Sequence, residues 1–584
     1  MSRYNLLDET WIPVIRKDTG QVEEVSMMNL FQHAETYQAL AGDMETQNFA
    51  MLRIFLAVLV TIFTRVDAEG KAYEWLELSG GDRLAVDEPV DPEDADDYMD
   101  ALEDTWNAVW QKHAFPNIVL RYLRAWHDSF FLLDETRPFM QVTKEALVKH
   151  LRLPSGKETT ATRGENFKGK QINRLISESG NKEALFAPMT EKEKSRMTEA
   201  ELTRWLIMMH GYVGMLDKWK FPATSNVVNS KGWLFDLGGI YVAGQDLFET
   251  LWLNTMLSHT EGERYTLAKQ TPCWESEPED WLEKTIHGAP QTNLASLYTA
   301  WSRAIYIAPT WTTEQEVSLG AVKITEIAHD NAFLEPMTLW CYHKAGKYKG
   351  QIRPRVHRPE EALWRSFGLI ITQGDTEKRP GIIDHYRAIE PAIHHRLVAL
   401  HAVSMQSDGN ATSWLPVDEL ADVLYLNEVL LTDTDDGGWS IRIRDTVEDT
   451  KDVIQNVYRP FVQDVAELRN IEKSNFVENH QAALYHAVDA PFRDWLYAIN
   501  PSESKEEEIA QWKDTLRHLV LEAADQIMLG AAPRDFIWNN NKNNKNKDGR
   551  KNIITAYNWF KRHLNQKIPP PRKEKQDASS LQEA

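Results

Sequence analysis

Cysteine is scarce in this sequence, because only Cys273 and Cys341 occur among its 584 residues. Two cysteines can form neither a disulfide framework nor a four-cysteine zinc site. This scarcity suits a reducing compartment, and the first residues lack the charged, apolar and small-residue regions of a signal peptide. The longest apolar stretch, residues 54–63, is well short of the roughly 20 residues that a membrane span needs. We expect a cytoplasmic protein with no membrane partner.

Familiar catalytic motifs are also missing from the sequence. There is no GxxxxGK[ST] loop for nucleotide phosphates, no GxSxG nucleophile turn and no HExxH zinc pair. A metal-dependent nuclease would need converging carboxylates and histidines, and one group of this composition is close in sequence: Asp384, His385, His394, His395 and His401. One such group is expected by chance among 18 histidines. We therefore expect no enzyme activity, no cofactor and no metal site.

Basic residues are in deficit, with 65 Lys and Arg against 87 Asp and Glu and a net charge of −22. Taken alone, this charge argues against nucleic acid as a partner, because phosphate contacts favour basic surfaces. The distribution is uneven, however: residues 87–104 carry a large block of the acidic residues and no Lys or Arg, whereas residues 344–358 contain no carboxylate. The basic residues of this second segment, called the basic strip below, are Lys344, Lys347, Lys349, Arg353, Arg355 and Arg358. Local charge therefore points to one place for nucleic-acid contact.

The length predicts at least two folding units. Residues 1–432 read as a large, irregular α+β domain without a βαβ rhythm. Its clearest elements are a small hairpin at residues 11–25, a buried helix at 45–65, helices at 101–114 and 199–215, and extended segments at 232–242, 304–309 and 317–327. The 21 tryptophans suggest surfaces that are half-buried against a partner.

The pattern changes after residue 432. Four amphipathic helical stretches follow, at residues 441–473, 477–499, 506–529 and 551–566, and they predict a C-terminal four-helix bundle over residues 433–567. The polar, Pro-led tail at residues 568–584 is expected to be disordered.

Seven short segments, taken in order, resemble a known family. Their sequences are NLLDETWIPV (5–14), DME (43–45) with the apolar helix after it, RPFMQV (137–142), NKEALFAP (181–188), residues 233–254, EPM (335–337) and EALWR (361–365). Each is weak alone, but their order and the helical segment after them resemble the CasA family, the large subunits of type I-E CRISPR surveillance complexes (Cascade).

This resemblance implies a non-catalytic subunit. Members of the family sit at the base of the crRNA-containing complex and read the protospacer-adjacent motif (PAM) on double-stranded DNA. They help to open the duplex and position the recruited helicase-nuclease, while base pairing reads the remaining sequence. The implied partners are the other Cascade subunits, crRNA, target DNA and that nuclease. Two alternatives stay open: a metal-dependent nuclease subunit, and a purely structural subunit whose basic strip binds crRNA.

The family also inserts a wedge beneath the PAM, typically a glutamine on a short hairpin. The matching position is Gln351, flanked by Lys349 and Arg353 and set within the basic strip. Gly346 and Gly350 can turn this segment and Tyr348 can stack, while flanking cations can offset the cost of unstacking a base step. The alternative is a solvated hairpin that contacts crRNA or another subunit.

Other elements of the family match less closely. Phe186 corresponds to an aromatic near the PAM end, or else to a buried core residue. Where some members have a glycine-rich loop, this sequence offers side chains that could read the groove, Asn226, Asn229 and Lys231, with the single Gly232. Lys323 is a guess for a PAM-directed lysine. A second basic patch could steer the displaced strand or be a solvated loop, and its residues are Lys542, Lys545, Lys547, Arg550 and Lys551.

Overall fold

The computed structural model describes most of the chain: residues 4–88, 90–151, 165–175, 189–190, 193–214, 220–222, 230–258, 270–289, 291–327, 329, 334–374, 376–393, 397–407, 416–471, 474–502, 504–540 and 550–570. These residues fall into two compact units. The first contains Met1–Arg358, Thr372–Ile393 and Val398–Val423, and the second contains Pro359–Ile371, His394–Leu397 and Leu424–Ala584. Helices and strands are mixed, which confirms the predicted α+β class.

The first unit opens with a three-stranded antiparallel sheet. Strands β1 (Ile12–Arg16) and β2 (Val22–Val25) form the predicted hairpin, helix α1 (Met27–Gln32) follows, and β3 (Tyr37–Leu40) pairs with the other side of β1. Gly20 lies in the hairpin turn at φ 68°, a backbone conformation that favours glycine. The apolar runs separated by a turn therefore predicted the β1–β2 hairpin correctly, whereas β3 was not predicted.

Helix α2 (Glu45–Phe63) is the central helix of the first unit, as its dense apolar sequence predicted. Its first two backbone N–H groups, at Glu45 and Thr46, donate to the Glu419 carboxylate at 3.1 and 2.9 Å. Among the described helices, α2 alone is long and apolar enough to cross a membrane, and its whole apolar window is buried inside the protein. Such burial is typical of a core helix.

Short elements complete the first unit up to the basic strip. In chain order they are β4 (Glu77–Ser79), β5 (Ala85–Glu88), α3 (Ala95–Lys112), α4 (Ile118–Ala125), α5 (Lys144–Leu151), β6 (Glu165–Lys168), α6 (Gly169–Ile172), α7 (Glu199–Tyr212), β7 (Gly239–Ala243), α8 (Leu247–Leu253), α9 (Pro278–Ile286), α10 (Leu294–Tyr298), β8 (Arg303–Ile307), β9 (Ser318–Lys323), β10 (Trp340–Tyr342) and β11 (Ile352–Pro354). Strands β6, β9 and β8 form a second antiparallel sheet. The two extended segments predicted around residues 304–309 and 317–327 are its strands β8 and β9.

The remaining elements begin with α11 (Phe367–Ile371), α12 (Gly381–Ala388), α13 (Glu390–Ile393), β12 (Leu397–Ser407), β13 (Pro416–Asn427) and α14 (Val429–Thr432). Strand β12 lies between β13 and β7 in a third sheet. Helices then predominate: α15 (Trp439–Val453), α16 (Arg459–Leu468), α17 (Phe476–Ala498) and α18 (Lys505–Leu529), followed by a small hairpin of β14 (Asn539–Asn540) and β15 (Arg550–Lys551) and by α19 (Ile553–Lys567).

Two segments differ from the sequence prediction. Helix α3 starts six residues earlier than predicted, at Ala95, because Asp96 and Asp97 occupy its first turn, where acidic side chains favour the helix dipole. Residues 232–242 were expected to be strands, but Trp233–Asp236 forms a 3₁₀ turn and only Gly239–Ala243 is extended. Apolar aromatic residues suit a buried turn as well as a buried strand, so composition could not separate the two.

Most of the described tryptophans are core residues and are not half-buried surface residues as expected. Seven of them, each less than 2% exposed, are Trp11, Trp106, Trp205, Trp252, Trp364, Trp439 and Trp512. By contrast, Trp538 and Trp559 are 55% and 57% exposed, and both lie near the last helix of the second unit. Tryptophan abundance therefore reports mainly on core packing in this chain.

The helices of the second unit pack against one another, with contacts from α16 to α17 and α19, and from α18 to α15, α17 and α19. Residues Ile454–Tyr458 form a π-helical turn between α15 and α16, so the long predicted stretch 441–473 is nearly continuous. Pro460 lies two residues after this turn and lacks an N–H donor, which is a usual reason for a local change in helix geometry. Ile568, assigned to the tail from the sequence, is buried, and its carbonyl accepts from Arg517 at 2.9 Å. The proposed domain boundary at residue 432 and the bundle stay predictions.

A buried histidine predicts acid sensitivity of the first unit. His210 is 2% exposed, its Nε2 lies 2.9 Å from the Met140 carbonyl, and burial lowers its pKa to about 4. Between pH 6.5 and 4 the unfolded chain therefore binds a proton that the folded chain does not, and the free energy of unfolding falls as the pH falls. We expect His210 to contribute about 3 kcal/mol of this loss. Urea unfolding of His210→Gln at pH 7 and pH 4.5 should show a smaller pH difference than the wild type; an equal difference would contradict this assignment.

Candidate nucleic-acid interface

The basic strip forms an antiparallel hairpin. Trp340 pairs with Pro354 and Tyr342 with Ile352, and the loop between the strands runs from His343 to Gln351. Two backbone hydrogen bonds close its neck: the His343 N–H donates to the Gln351 carbonyl at 3.0 Å, and the Gly350 N–H donates to the His343 carbonyl at 2.8 Å. This hairpin is called the strip hairpin below, and it has the form that the sequence predicted around Gln351.

A small apolar cluster holds the base of the strip hairpin. Trp340 and Ile352 are 2% and 6% exposed and pack with Leu334, while Tyr342 covers them. The Arg355 N–H also donates to the Leu339 carbonyl at 2.8 Å, which extends the pairing below the strands. Beside this point, a Cβ at Gly238 would lie 2.0 Å from the Arg355 carbonyl, so only glycine allows the two backbones to approach. The root of the strip hairpin is therefore fixed.

Two glycines shape the tip of the strip hairpin. Gly346 and Gly350 have φ values of 81° and 83°, and a Cβ on either would meet no atom within 4 Å. Glycine is therefore favoured at both positions because of the positive φ, and not because a larger side chain would clash with a neighbour.

This explanation makes Gly350→Ala a specific test of the loop. Alanine at this φ costs about 1 kcal/mol, so the loop should open more often. We expect the Gln351 amide, which donates to the Tyr348 carbonyl at 3.0 Å, to exchange its hydrogen about fivefold faster. Gly374→Ala is the matched control, because Gly374 lies in another loop at an ordinary φ and has room for a Cβ. Unchanged protection in Gly350→Ala would contradict the proposed role of the glycine.

The tip carries exposed positive charge. Gln351 and the three lysines Lys344, Lys347 and Lys349 are exposed, and Tyr348 is half-buried among them. The Arg353 guanidinium lies 4.2 Å from the centre of the Tyr348 ring and the Lys347 ammonium lies 5.1 Å from it. Within the described ranges, no carboxylate lies within ion-pair distance of these lysines or of Arg353. The tip therefore offers cations, an amide and an aromatic ring to a partner.

A small cleft in the same unit contains charged groups that interact with the strip hairpin. Glu326 lines it, and burial raises the pKa of its carboxyl, while the positive charges of Lys231 and Arg353 act in the opposite direction. His329 stacks on Trp233 with ring centres 4.1 Å apart, and desolvation lowers its pKa to about 4. The cleft thus holds a neutral imidazole at pH 7, and its charge state is linked to Arg353.

Lys231 and Gly232 both line this cleft. The Lys231 ammonium is ion-paired with Asp236, and only 11% of its side chain is exposed. Gly232 is buried, and a Cβ there would lie 2.2 Å from the Gly211 carbonyl at the end of α7. Close packing against α7 therefore explains this glycine. Lys323, the guess for a PAM-directed lysine, is 5% exposed within β9.

Several predicted site residues lie outside the described residues. In the amino-terminal part these are Phe186, Asn226 and Asn229. In the second basic patch they are Lys542, Lys545 and Lys547. Of that patch Lys551 is described, and its ammonium is ion-paired with the Asp464 carboxylate.

The described members of the group considered for a nuclease each contact other neighbours. The Asp384 carboxylate accepts from the Arg379 guanidinium at 2.7 Å, and the His385 ring lies edge-on to Trp106 at 6.0 Å. The His401 Nδ1 lies 3.1 Å from the Tyr241 hydroxyl, and burial lowers the pKa of His401 to about 4. His394 and His395 lie outside the described residues, and the described part contains no group of three or more His, Cys, Asp or Glu placed to hold a metal.

Sequence reasoning missed a buried ionic network that precedes the strip hairpin. The Glu335 carboxylate accepts two hydrogen bonds from the Arg53 guanidinium, at 2.7 and 2.9 Å, one from the Trp233 indole at 2.6 Å and one from the Met337 N–H at 3.0 Å. Burial alone would raise the pKa of Glu335, but Arg53 holds it below its usual value. The EPM motif was noticed in the sequence, yet its partner in α2 lies 282 residues away.

A family model described as CRISPR-associated protein Cse1 matches residues 5–523 of the chain. The chain belongs to the Cse1 family. The match covers most of the sequence, and it confirms the CasA/Cse1 assignment made from the seven short segments.

A curated relative and several solved structures agree with membership of the Cse1 family. The CasA/Cse1 protein of Thermus thermophilus is 26% identical over 283 residues, which are 48% of this chain and 43% of that protein. The crystal structure of Thermobifida fusca Cse1 is similar with a TM-score of 0.74 at 21% identity, over 97% of this chain and 98% of that one. The Cse1 structure from Acidimicrobium ferrooxidans has a TM-score of 0.69 at 19% identity, over 98% and 100% of the chains. At these identities, the structures show a shared fold.

Proposed function

We propose that this chain is the large, non-catalytic subunit of a type I-E Cascade complex and that its strip hairpin contacts the PAM end of double-stranded target DNA. The observation that carries this proposal is the tip at residues 343–351, where an exposed glutamine shares one loop with three exposed lysines that have no ion-pair partner among the described residues. Membership of the Cse1 family and a TM-score of 0.67 to a chain of a CRISPR RNA-guided surveillance complex support it. The partners proposed are the other Cascade subunits, crRNA and the recruited helicase-nuclease.

The physical chemistry of the tip suits duplex DNA. Exposed lysines bind phosphates without reading sequence, and they raise local affinity in a protein whose net charge of −22 disfavours non-specific DNA binding. Gln351 has an exposed side-chain amide that can donate and accept hydrogen bonds at exposed base edges. Opening one base step costs a few kcal/mol, which the flanking phosphate contacts can offset.

If the chain is instead a purely structural subunit, the same lysines contact crRNA. In that case the strip hairpin would bind phosphates of the guide, and its substitution would weaken assembly before any target DNA is added. A hairpin variant that fails to assemble with crRNA therefore indicates the structural role. A variant that assembles but binds target DNA weakly indicates the DNA-contact role.

The experiment is to reconstitute the crRNA-containing complex with and without this chain and to measure its affinity for target duplexes with a matching or an altered PAM. The proposal expects that discrimination between the two duplexes requires this chain. Equal discrimination without it would contradict the proposal. A complex that fails to assemble on crRNA with hairpin variants, although the variant chain is folded, would favour the structural alternative.

A further inference from the structure

The last helix of the second unit presents an aromatic and basic face that the strip hairpin does not account for. From Phe536 to Lys573 the sequence contains ten Lys or Arg and a single carboxylate, Asp548. Helix α19 itself has no Asp or Glu. This is unusual in a chain with 22 more acidic than basic residues, and it marks α19 as a second local region of positive charge.

Three side chains share the outward face of α19. Trp559, Arg562 and His563 are spaced i, i+3 and i+4, so they lie on one side of the helix. Trp559 is 57% exposed, although most tryptophans of the chain are buried. The Arg562 guanidinium lies 5.7 Å from the Trp559 ring centre, and the His563 ring centre lies at the same distance. An indole face and a cation are thus available together.

Among the described residues, the cations at the centre of α19 have no carboxylate partner. Lys551 and Lys567, near the two ends of α19, pair with Asp464 and Asp452. By contrast, no carboxylate in the described ranges lies within ion-pair distance of Lys561 or Arg562. The ion pairs therefore hold the helix in place and leave its central cations available.

Additional exposed aromatics lie near the start of the helix. Phe536 and Trp538 are 45% and 55% exposed, and the Asn552 side chain at the helix start donates to the Phe536 carbonyl at 3.4 Å. Asn552 and Trp559 are separated by seven residues, or about 10 Å along a helix. Exposed rings therefore occur at intervals along this part of the second unit.

We propose that the face of α19 formed by Trp559, Arg562 and His563 binds single-stranded nucleic acid. An exposed indole can stack on any base that is not already stacked in a duplex, and flanking cations track the phosphates, so this combination selects single strands with little sequence preference. A protein partner could also cover an exposed tryptophan. The lack of carboxylates on the helix, in a strongly acidic chain, favours a polyanion.

The test uses the full-length chain and a fluorescein-labelled dT20 oligonucleotide, with binding followed by anisotropy. Trp559→Ala should weaken binding by at least about fivefold, because one stacked base is lost. Trp559→Phe should retain most of the affinity, and Arg562→Ala should weaken binding and reduce the salt dependence by about one phosphate contact. Ile554→Ala is the control, since Ile554 is 47% exposed on another side of the same helix.

Two outcomes would overturn the proposal. Binding of dT20 that is unchanged in Trp559→Ala would exclude stacking at this face and leave it to a protein partner. Equal losses in Trp559→Ala and Ile554→Ala would show a general effect on the helix. The strip hairpin is intact in all these variants, so duplex recognition can be measured separately and can fail or succeed by itself.

Discussion

Replacing Lys344, Lys347 and Lys349 together with glutamate is expected to weaken binding of a PAM-containing duplex to the reconstituted complex by at least about tenfold at 0.1 M salt. The reason is that all three lysines are exposed at the tip of the strip hairpin, without a carboxylate partner in the part of the chain that the structure describes. Each lysine that contacts a phosphate contributes about 0.9 to the slope of log affinity against log salt. The slope of the triple variant should therefore be shallower by two to three contacts, on the order of 2.

A variant with the same net charge controls for the general effect of added acid. Lys71, Lys144 and Lys284 are exposed lysines of the same unit and have no ion-pair partner among the described residues. If duplex affinity depends on where the charge lies, glutamate at these three positions should change that affinity less than about threefold. The reason is that salt screens exposed charges that do not contact the DNA. Equal losses in the two triple variants would mean that long-range repulsion, and not contact at the strip hairpin, explains the effect.

Glu335→Ala is expected to lower the free energy of unfolding of the first unit by about 3–5 kcal/mol. The Arg53 side chain is 2% exposed, and loss of Glu335 leaves its guanidinium buried without a counter-charge. The ring of Tyr298 lies 4.3 Å from this guanidinium and provides only partial compensation. Urea unfolding monitored by hydrogen exchange in α2 would measure the effect within the first unit.

The double variant Arg53→Met/Glu335→Met distinguishes a buried charge from a packing defect. Removing both charges with side chains of similar volume should be less destabilising than Glu335→Ala alone, because no unpaired ion remains. The Trp233 indole would still lose its acceptor at 2.6 Å, so some loss is expected. If the double variant were less stable than Glu335→Ala, the ionic explanation would be wrong.

Local sequence patterns identified the elements whose residues are close in the chain. The β1–β2 hairpin and helix α2 follow from periodicity and turn residues within about 20 residues, and charge alone located the basic strip, whereas its hairpin form was implied by the family resemblance. Gln351 was located by the resemblance to the CasA family, and the structure shows Gly346 and Gly350 of the same loop at positive φ.

Contacts between distant segments could not be predicted in this way. The pairing of Arg53 with Glu335 joins residues 282 positions apart, and the capping of α2 by Glu419 joins residues more than 370 apart. Lys231 and Gly232 stay predictions for groove reading, and the sequence did not show that Lys231 is ion-paired with Asp236 or that Gly232 packs closely against α7. Side-chain type was evident from the sequence, whereas ion pairing and burial depended on the fold.

The most direct test of the central proposal is strand opening next to the PAM by the complete crRNA-containing complex. A target duplex with 2-aminopurine in the first base pairs after the PAM reports opening as a rise in fluorescence. Gln351→Ala should reduce the opening rate by at least about tenfold while duplex binding changes little, since the lysines that contact phosphates remain but no inserted side chain replaces the lost base stacking. Gln21→Ala, an exposed glutamine in the β1–β2 turn, should open DNA like the wild type. Normal opening by Gln351→Ala would contradict the assignment of the strip hairpin as the wedge.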